Sequence, residues 1–368
     1  MARLARKPPA NDEFEITLLG PGYGESIVIH LGADEWLVND SCLDRESGVP
    51  APLSYLESIN VDPKMVRLVI ASHWHDDHIR GLARVVKECV QAKFVCSAAL
   101  RSNEFLALAS TDGHNKMRPT SGISELRSIV DVTSSRQPPL RTPVFAVADT
   151  VLHRTVLGDG RAVAVAALSP SPEQVANGLQ QIARLIPEVT ARRGRVPDLL
   201  PNATSVAVWV DVGDDAALLG ADLETSGSAA SGWLPVGDSN VISGMRASAY
   251  KVAHHGSVTG HSDVIYDRLL TPSPLCVLTP FRRGRVTLPA DQDIARLCER
   301  STSVYSTVKH VPKRQALDSA VERTLREMRA RLQAIDPTMG AVRLRKKFGA
   351  ADWSVELSSN AGSMCGEL

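Results

Sequence analysis

The chain has 368 residues, 43% of them hydrophobic, which is enough to bury a sizeable core in one large domain or two. Its 41 basic and 41 acidic residues cancel, which excludes a globally basic nucleic-acid binder but leaves room for a local basic patch. The sequence shows neither a secretory signal nor an apolar span of transmembrane length, so no membrane contact is predicted. The six cysteines form no Cys-x-x-Cys pair, which predicts free thiols and a cytoplasmic location.

The first third of the chain predicts strands and helices in a layered order. Residues 1–12 are polar and contain prolines, which predicts a flexible lead-in. Apolar and polar residues alternate over 13–18, the pattern of a half-buried strand. There follow, in order, a predicted hairpin of strands 26–30 and 35–40, a helix over 52–59 and a buried strand over 65–72. This sequence of elements favours an α/β fold.

The segment 73–78 reads His-Trp-His-Asp-Asp-His and follows the predicted strand directly, with the start of a helix predicted after it. Neutral imidazoles and carboxylates are the ligands that hold borderline cations such as zinc. Neighbouring side chains on a turn point in different directions, so the segment is dense enough to serve two ions. The alternative is a His-rich surface loop, but so many ligands directly after a buried strand have little structural purpose.

The rest of the chain predicts further strands, two of which end on metal-type ligands. The predicted elements are strands at 93–96 and 161–168, a helix opened by Pro172, a hairpin of strands 205–212 and 216–222, strands at 248–253 and 275–280, a helix over 315–335, and a hairpin of 342–345 with 353–357. The strand over 216–222 ends on Asp222, and the strand over 248–253 ends at His254 and His255. In such folds strand ends converge at one edge of a sheet, so these residues are expected to meet the 73–78 segment.

The ordered motifs resemble those of the metallo-β-lactamase superfamily. They are Gly-Tyr-Gly-Glu-Ser at 22–26, Val-Asn-Asp at 38–40, the 73–78 segment, Gly-Ala-Asp at 220–222 and His-His-Gly-Ser at 254–257. Within that superfamily the match is most similar to the hydrolase domain of ComEC-like competence proteins, over residues 13–310. The resemblance implies an αββα sandwich with a binuclear metal site, preceded by residues 1–12 and followed by a C-terminal helix and hairpin extension over 311–368 on the same domain.

The resemblance also implies roles for individual residues. The metal ligands carried over by position are His73 and His75 for one ion, Asp77 and His78 for the other, and Asp222 as the bridge. One of His254 and His255 would complete the second ion's site, with His254 as the preferred ligand, and the other would face the substrate. Asp40 would orient a ligand from behind. Many members of the superfamily complete the first ion's site with a further histidine. The histidines in that interval, His114 and His153, lack the expected flanks, which makes Mn²⁺ or Mg²⁺ an alternative to Zn²⁺.

A metal-activated water attacking a phosphodiester is the favoured reaction, by a nuclease or another phosphodiesterase. Two cations lower the pKa of a bound water and neutralise charge on a phosphoryl oxygen, and Asp77 or Asp76 would orient the nucleophile or take its proton. The residues expected to contact the substrate are Asn202, Ser257, Lys251, Arg282 and Arg283. Residues 309–347 carry eleven Lys or Arg against four Asp or Glu, a face that would either contact phosphates or be a solvated surface.

Two other functions fit the same motifs. One is hydrolysis of a small ester, lactone, thioester or cyclic nucleotide, and the other is a regulatory or interaction module with a partly degenerate metal centre. Full-length competence channels are membrane proteins, so a stand-alone relative would act apart from DNA uptake or with a protein partner encoded elsewhere.

Overall fold

The computed structural model describes residues 4–21, 23–44, 46–101, 122–183, 201–242, 244–283, 286–309, 319–328 and 339–366. Two eight-stranded sheets form its centre. The first contains β1 (Glu13–Gly20), β2 (Ser26–His30), β3 (Trp36–Asn39), β4 (Val66–Ile70), β5 (Lys93–Ser97), β6 (Val144–Ala146), β16 (Gly340–Lys347) and β17 (Ser354–Leu357). The second contains β7 (Thr150–Val156), β8 (Ala162–Ala167), β9 (Val208–Asp211), β10 (Ala216–Leu219), β11 (Ala247–Lys251), β12 (Leu270–Leu278), β15 (Val304–Ser306) and β18 (Gly362–Ser363).

Helices and a small hairpin cover these sheets. The helices are α1 (Ala51–Ser58), α2 (Asp76–Ile79), α3 (Leu82–Glu88), α4 (Gly122–Ser134), α5 (Pro172–Ala183), α6 (Asp291–Arg300) and α7 (Ser319–Glu327), and the hairpin is β13 (Phe281–Arg283) with β14 (Val286–Leu288). α7 confirms part of the helix expected over 315–335, and most of the remainder lies outside the described residues. Among those residues, no helix is both long enough and apolar enough to cross a membrane.

Three apolar cores separate the layers. One lies between the sheets and includes Ile16 of β1 and Val165 of β8. A second packs the outer face of the first sheet against helices and includes Trp36 and Leu82. The third lies on the outer face of the second sheet and includes Trp233. Burial of large apolar side chains on both faces of each sheet produces four layers, which confirms the predicted αββα sandwich.

β1 differs from the half-buried strand that its alternation predicted. Its polar residues Glu15 and Thr17 are fully buried, because α1 packs over the face that they share. Glu15 accepts hydrogen bonds there from the Tyr55 hydroxyl at 2.5 Å and from Arg345 Nε at 2.5 Å. The buried Arg343 lies 3.7 Å from the same carboxylate. The polar residues that alternate with apolar ones in β1 therefore belong to a buried network of ion pairs and hydrogen bonds and do not face water.

The C-terminal hairpin of β16 and β17 is confirmed, and it belongs to the first sheet. β16 pairs antiparallel with β1 along its whole length, from Glu13 opposite Lys347 to Gly20 opposite Gly340. The lead-in before β1 is also tied to this hairpin, because Arg343 Nη1 donates to the Ala5 carbonyl at 3.0 Å. The flexibility expected for residues 1–12 stays a prediction.

The prediction of six free thiols is wrong for one pair. Cys298 of α6 and Cys365 are joined in a disulfide, whereas Cys42, Cys89, Cys96 and Cys276 are free and buried. The two partners are far apart in sequence and meet because β18 pairs with β15 beside α6, a proximity that cysteine spacing does not reveal. The cytoplasmic location loses the support that it drew from free thiols.

Candidate metal centre

The 73–78 segment leaves β4 at the edge of the first sheet and turns into α2. Backbone hydrogen bonds hold both ends of this turn: Ala71 N donates to Val95 O at 2.9 Å, and Ser41 N donates to His78 O at 2.8 Å. Val206 N, in the segment that leads into β9 of the second sheet, donates to Ser72 O at 2.9 Å. Because both sheets hold the segment, its side chains are fixed where the sheet edges meet.

Four buried side chains form one cluster with the ligand spacing of a metal site: Asp77, His78, Asp222 and His255. His78 Nε2 lies 3.6 Å from Asp77 Oδ2 and 3.4 Å from Asp222 Oδ2. His255 Nε2 lies 3.3 Å and 3.5 Å from the same two oxygens. One imidazole or carboxylate atom from each residue therefore faces a common centre.

A second cluster shares Asp222 and contains His73 and His75. His73 Nε2 lies 3.1 Å from His75 Nδ1 and 3.9 Å from Asp222 Oδ2. The expected departure is confirmed for His153, whose Nε2 lies 3.1 Å from Glu35 Oε2 rather than in this cluster. His114 lies outside the described residues. The cluster of His73, His75 and Asp222 therefore has one ligand fewer than the four-residue cluster among the residues that the structure describes.

The structure exchanges the predicted places of His254 and His255. His255 Nδ1 donates to the Thr279 carbonyl at 2.9 Å, which leaves Nε2 free to face the cluster. His254 instead points its Nδ1 at Thr259 Oγ1 (2.8 Å) and Glu224 Oε1 (3.1 Å). Both histidines have left-handed backbones, with φ of 46° and 51°. This turn reverses the directions that an extended chain would give the pair.

Asp40 lies behind the cluster, where it was expected. Its Oδ1 accepts a hydrogen bond from Ser72 N at 2.7 Å, and its Oδ2 accepts from Ser72 Oγ at 2.7 Å and from His78 Nδ1 at 2.9 Å. A proton held on Nδ1 keeps the lone pair of His78 on Nε2, the atom that faces Asp77 and Asp222.

Lys251 does not contact the substrate side as predicted. Its side chain is fully buried at the end of β11, and its ammonium contacts the carboxylate of Glu25 and the Ala221 carbonyl, the latter at 3.1 Å. Burial favours the neutral amine, but the charges of Glu25 and Asp222 outweigh it and raise the pKa of Lys251. No role was predicted for Glu25 from the sequence. A carboxylate directly before the buried strand β2 is nevertheless a signal that could have indicated one.

The electrostatics of the cluster fit a pair of divalent cations. Burial lowers the pKa values of His73 and His75, which suits neutral imidazole ligands. Burial would lower the pKa of His78, but the charges of Asp222 and Asp77 outweigh it and raise that pKa. Burial also opposes the shift of His255, whose pKa is raised to about 10, mainly by the charge of Asp222. The carboxylate pKa values of Asp77 and Asp222 are lowered, although burial opposes this, because these imidazoles are close.

Two further observations support the fit. The Nε2 atoms of His78 and His255 are buried, and neither finds a hydrogen-bond partner among the described residues. Glu25, Asp40, Asp77 and Asp222 are buried carboxyl groups of this region, and the buried Lys251 ammonium lies beside Glu25 and Asp222. Protons on the imidazoles of His78 and His255 offset part of this negative charge in the metal-free protein, and bound divalent cations would replace them.

The remaining predicted residues lie around the cluster at differing distances. Arg282 and Arg283 lie on β13, whose Phe281 ring stacks on His255 with 5.2 Å between centroids. Asn202 Nδ2 donates to His254 Nε2 at 3.3 Å. Asp76 is turned outward and pairs with Arg80 at 3.2 Å, so it is not a member of the cluster.

Ser257, which was predicted to contact the substrate, caps the short helical turn that follows it, because its hydroxyl accepts a hydrogen bond from Thr259 N. Part of the basic excess over 309–347 is paired with acidic groups of the fold. Lys346 pairs with Asp215 at 2.6 Å, and Arg343 pairs with Glu356 at 2.7 Å. These ion pairs favour the structural interpretation of the C-terminal basic residues over a phosphate-binding face.

Comparison with known proteins places the 73–78 segment inside a recognised domain. Residues 19–167 match the model of the Metallo-beta-lactamase superfamily. No curated protein matches the chain. Among solved structures, the chain is similar to the metallo-beta-lactamase fold protein YhfI from Bacillus subtilis, with 14% identity and a TM-score of 0.38 over 80% of this chain and 95% of that one.

Two metallo-beta-lactamases are similar over a smaller part. A HARLDQ-motif mutant from Cronobacter sakazakii has 18% identity and a TM-score of 0.32 over 58% of this chain; the match spans 63% of that protein, less than two thirds of its length. MEM-A1, a subclass B3 enzyme from a soil metagenome library, has 15% identity and a TM-score of 0.32 over 69% of this chain and 83% of that one. The narrower resemblance to ComEC-like domains stays a prediction. The family match identifies residues 19–167 as a domain of the metallo-beta-lactamase superfamily, with which the αββα fold agrees.

Proposed function

We propose that the protein is a metal-dependent phosphodiesterase that acts on nucleic acid or a related phosphodiester. The superfamily domain and the His/Asp clusters support a metal-dependent hydrolase in general. The narrower substrate class is our proposal. The observation that carries it is a rim of cationic and aromatic side chains beside His255, formed by Tyr23, Arg80, Phe281 and Arg283.

Tyr23 connects this rim to the cluster. Its ring lies 5.6 Å from that of Phe281, and the Arg80 guanidinium lies 5.7 Å over it. Burial raises the pKa of Tyr23, the charge of Asp77 adds to this, and the charge of Arg283 opposes it. Tyr23 therefore lies close enough to interact electrostatically with both Asp77 of the cluster and the exposed Arg283. A phosphodiester bound at the cluster would find a guanidinium and aromatic faces beside it, the groups that bind phosphates and bases.

The side chains divide the chemistry between them. Asp77, Asp222 and the four clustered imidazoles would hold the cations, for which the mixed nitrogen and oxygen ligands favour Zn²⁺, with Mn²⁺ or Mg²⁺ as alternatives. Bound cations would lower the pKa of a water and neutralise charge on the phosphoryl group. Phe281 shields His255 from solvent, and Arg283 attracts the anionic substrate. Asp77 is the carboxylate placed to orient the nucleophile, since Asp76 is turned away.

The decisive experiment is a substrate panel with the purified protein under Zn²⁺, Mn²⁺ and Mg²⁺. Bis-p-nitrophenyl phosphate and single- and double-stranded DNA represent the proposed class, and a p-nitrophenyl ester, a lactone and a thioester represent the alternative. We expect phosphodiester cleavage that His75→Ala abolishes. Cleavage of the carboxylic esters without any phosphodiester cleavage would refute the proposal. Elemental analysis showing no bound metal after reconstitution would favour a regulatory module instead.

Arg283→Ala tests the rim separately from the metal ligands. Because an exposed charge contact is worth about 1 kcal/mol, KM for bis-p-nitrophenyl phosphate should rise on the order of fivefold with kcat little changed. The matched control is Arg154→Ala, which removes an exposed arginine from the edge strand β7. An equal change in both variants would show that the rim has no specific part in binding.

A further inference from the structure

The two oxygens of Asp222 have different surroundings. Oδ2 faces the imidazoles, at 3.4 Å from His78, 3.5 Å from His255 and 3.9 Å from His73. Oδ1 faces the opposite way and lies 3.9 Å from the Lys251 ammonium. Oδ1 is buried and has no hydrogen-bond partner among the described residues. The carboxylate therefore presents one oxygen to both clusters and the other to a fixed positive charge.

Lys251 is held in this position from several sides. Its backbone is paired within the second sheet, where β11 lies parallel to β10 with Lys251 opposite Leu219. Its ammonium contacts Glu25 and the Ala221 carbonyl, one residue before Asp222. Glu25 is itself fixed, because its backbone N–H donates to the Asp77 carbonyl at 2.8 Å. The ammonium can therefore reach neither solvent nor substrate, so its action is on the groups that surround it.

We propose that Lys251, tethered by Glu25, is a positioning residue that makes Asp222 bridge the two ions through Oδ2 alone. The proposal rests on the two-ion centre of the proposed function and adds a residue that is not itself a ligand. A positive charge beside Oδ1 attracts that oxygen and repels any cation that would bind it. A bridge through a single atom keeps two cations at the short separation, about 3.5–4 Å, of binuclear hydrolytic sites. A bridge through both oxygens would hold them further apart.

The test replaces the charge and measures the ion pair without any substrate. Lys251→Met keeps the length of the side chain, and Lys346→Met is the matched control. Lys346 is a largely buried lysine that pairs with Asp215 in another part of the fold. Mn²⁺ titration followed by electron paramagnetic resonance reports both the number of ions bound and the magnetic coupling between them. Circular dichroism and urea denaturation report folding.

We expect the wild type and Lys346→Met to bind two Mn²⁺ with a coupled spectrum. In Lys251→Met the second ion should bind about 10- to 100-fold more weakly, as when a group that supports a metal ligand is removed, and the coupling should be lost. A folded Lys251→Met with wild-type affinity and coupling would overturn the role of Lys251. If that variant does not fold, Glu25→Gln decides, because it keeps the ammonium but loosens its tether. It should weaken coupling in the same direction, and unchanged coupling would overturn the proposal.

These outcomes separate the inference from the proposed function. A wild type that binds at most one ion would overturn the two-ion centre and the inference with it. A wild type with a coupled ion pair that cleaves no phosphodiester would overturn the substrate class but leave the role of Lys251 standing on its own measurement.

Discussion

Replacing Asp40 with Asn should weaken metal binding indirectly, because it should change the tautomer of the neighbouring metal ligand His78. The carboxylate accepts three hydrogen bonds, from Ser72 N, Ser72 Oγ and His78 Nδ1. Asn has the same shape but one acceptor oxygen, and its amide nitrogen would face a donor. The simplest relief is for His78 to move its proton from Nδ1 to Nε2, which removes the lone pair from the atom that faces the cluster.

The expected size of the effect follows from the contacts. Loss of a group that orients a metal ligand lowers metal affinity about 10- to 100-fold, equivalent to about 1.4–2.7 kcal/mol for the ion held by His78. The folded protein would lose about 1–3 kcal/mol more if one of the buried donors stayed unpaired. Both costs should be visible because Asp40 and His78 are fully buried, so water cannot replace the lost acceptor.

The assay is competition for Zn²⁺ with a chromophoric chelator, together with urea denaturation of the metal-free protein. The matched control is Asp76→Asn, which changes a neighbouring carboxylate that pairs with Arg80 outside the cluster. That variant should keep its Zn²⁺ affinity within about twofold of the wild type, since surface ion pairs contribute about 0–1 kcal/mol. If Asp40→Asn binds both ions as tightly as the wild type, the tautomer argument is wrong.

Three further predictions concern pH, the disulfide and the buried ion pair. The pKa of His255 is raised from 6.5 to about 10, so its contribution to the stability of the metal-free protein is complete below pH 6.5 and is lost towards pH 10. Zn²⁺ must displace that proton, so apparent affinity measured by competition should rise across this interval, and a flat profile would contradict the assignment. Replacing Cys298 and Cys365 with Ser opens a crosslink over a sequence separation of 67 residues, which should cost about 4 kcal/mol in urea denaturation, whereas an unchanged midpoint would show that the bond adds nothing. Glu15→Gln leaves the buried Arg343 with only the partly exposed Glu356 as its counter-charge and should cost about 3–5 kcal/mol by the same measurement; a loss below about 1 kcal/mol would show that Glu356 suffices.

Local patterns in the sequence were enough to predict the metal centre in outline. The 73–78 segment is dense in metal-type ligands and follows a buried strand, so metal binding can be predicted for it without knowledge of the rest of the fold. Asp222 could be added because it ends a predicted strand, and the structure brings it within reach of both clusters. Each inference depends on the neighbours of a residue along the chain, which a sequence displays directly.

The errors arose where neighbours in space decide the outcome. The exchange of His254 and His255 follows from two consecutive left-handed residues, a conformation that non-glycine residues seldom adopt and that no motif announces. Lys251 was expected at the substrate because it is charged, yet Glu25, far away in the chain, holds it inside. The C-terminal lysines and arginines were expected to be available for phosphate binding for the same reason. Lys346, for example, instead pairs with Asp215, which is distant in the sequence.

The pairing of β1 with β16 has a consequence for how the protein is made. β16 is synthesised long after β1, so a nascent chain carries one edge of Glu13–Gly20 unpaired until β16 has emerged. Exposed strand edges recruit other chains, and pairings between distant segments form slowly. The edge of the sheet that supports the 73–78 loop can therefore be covered by β16 only after Lys347 has been synthesised, which favours late completion of this sheet.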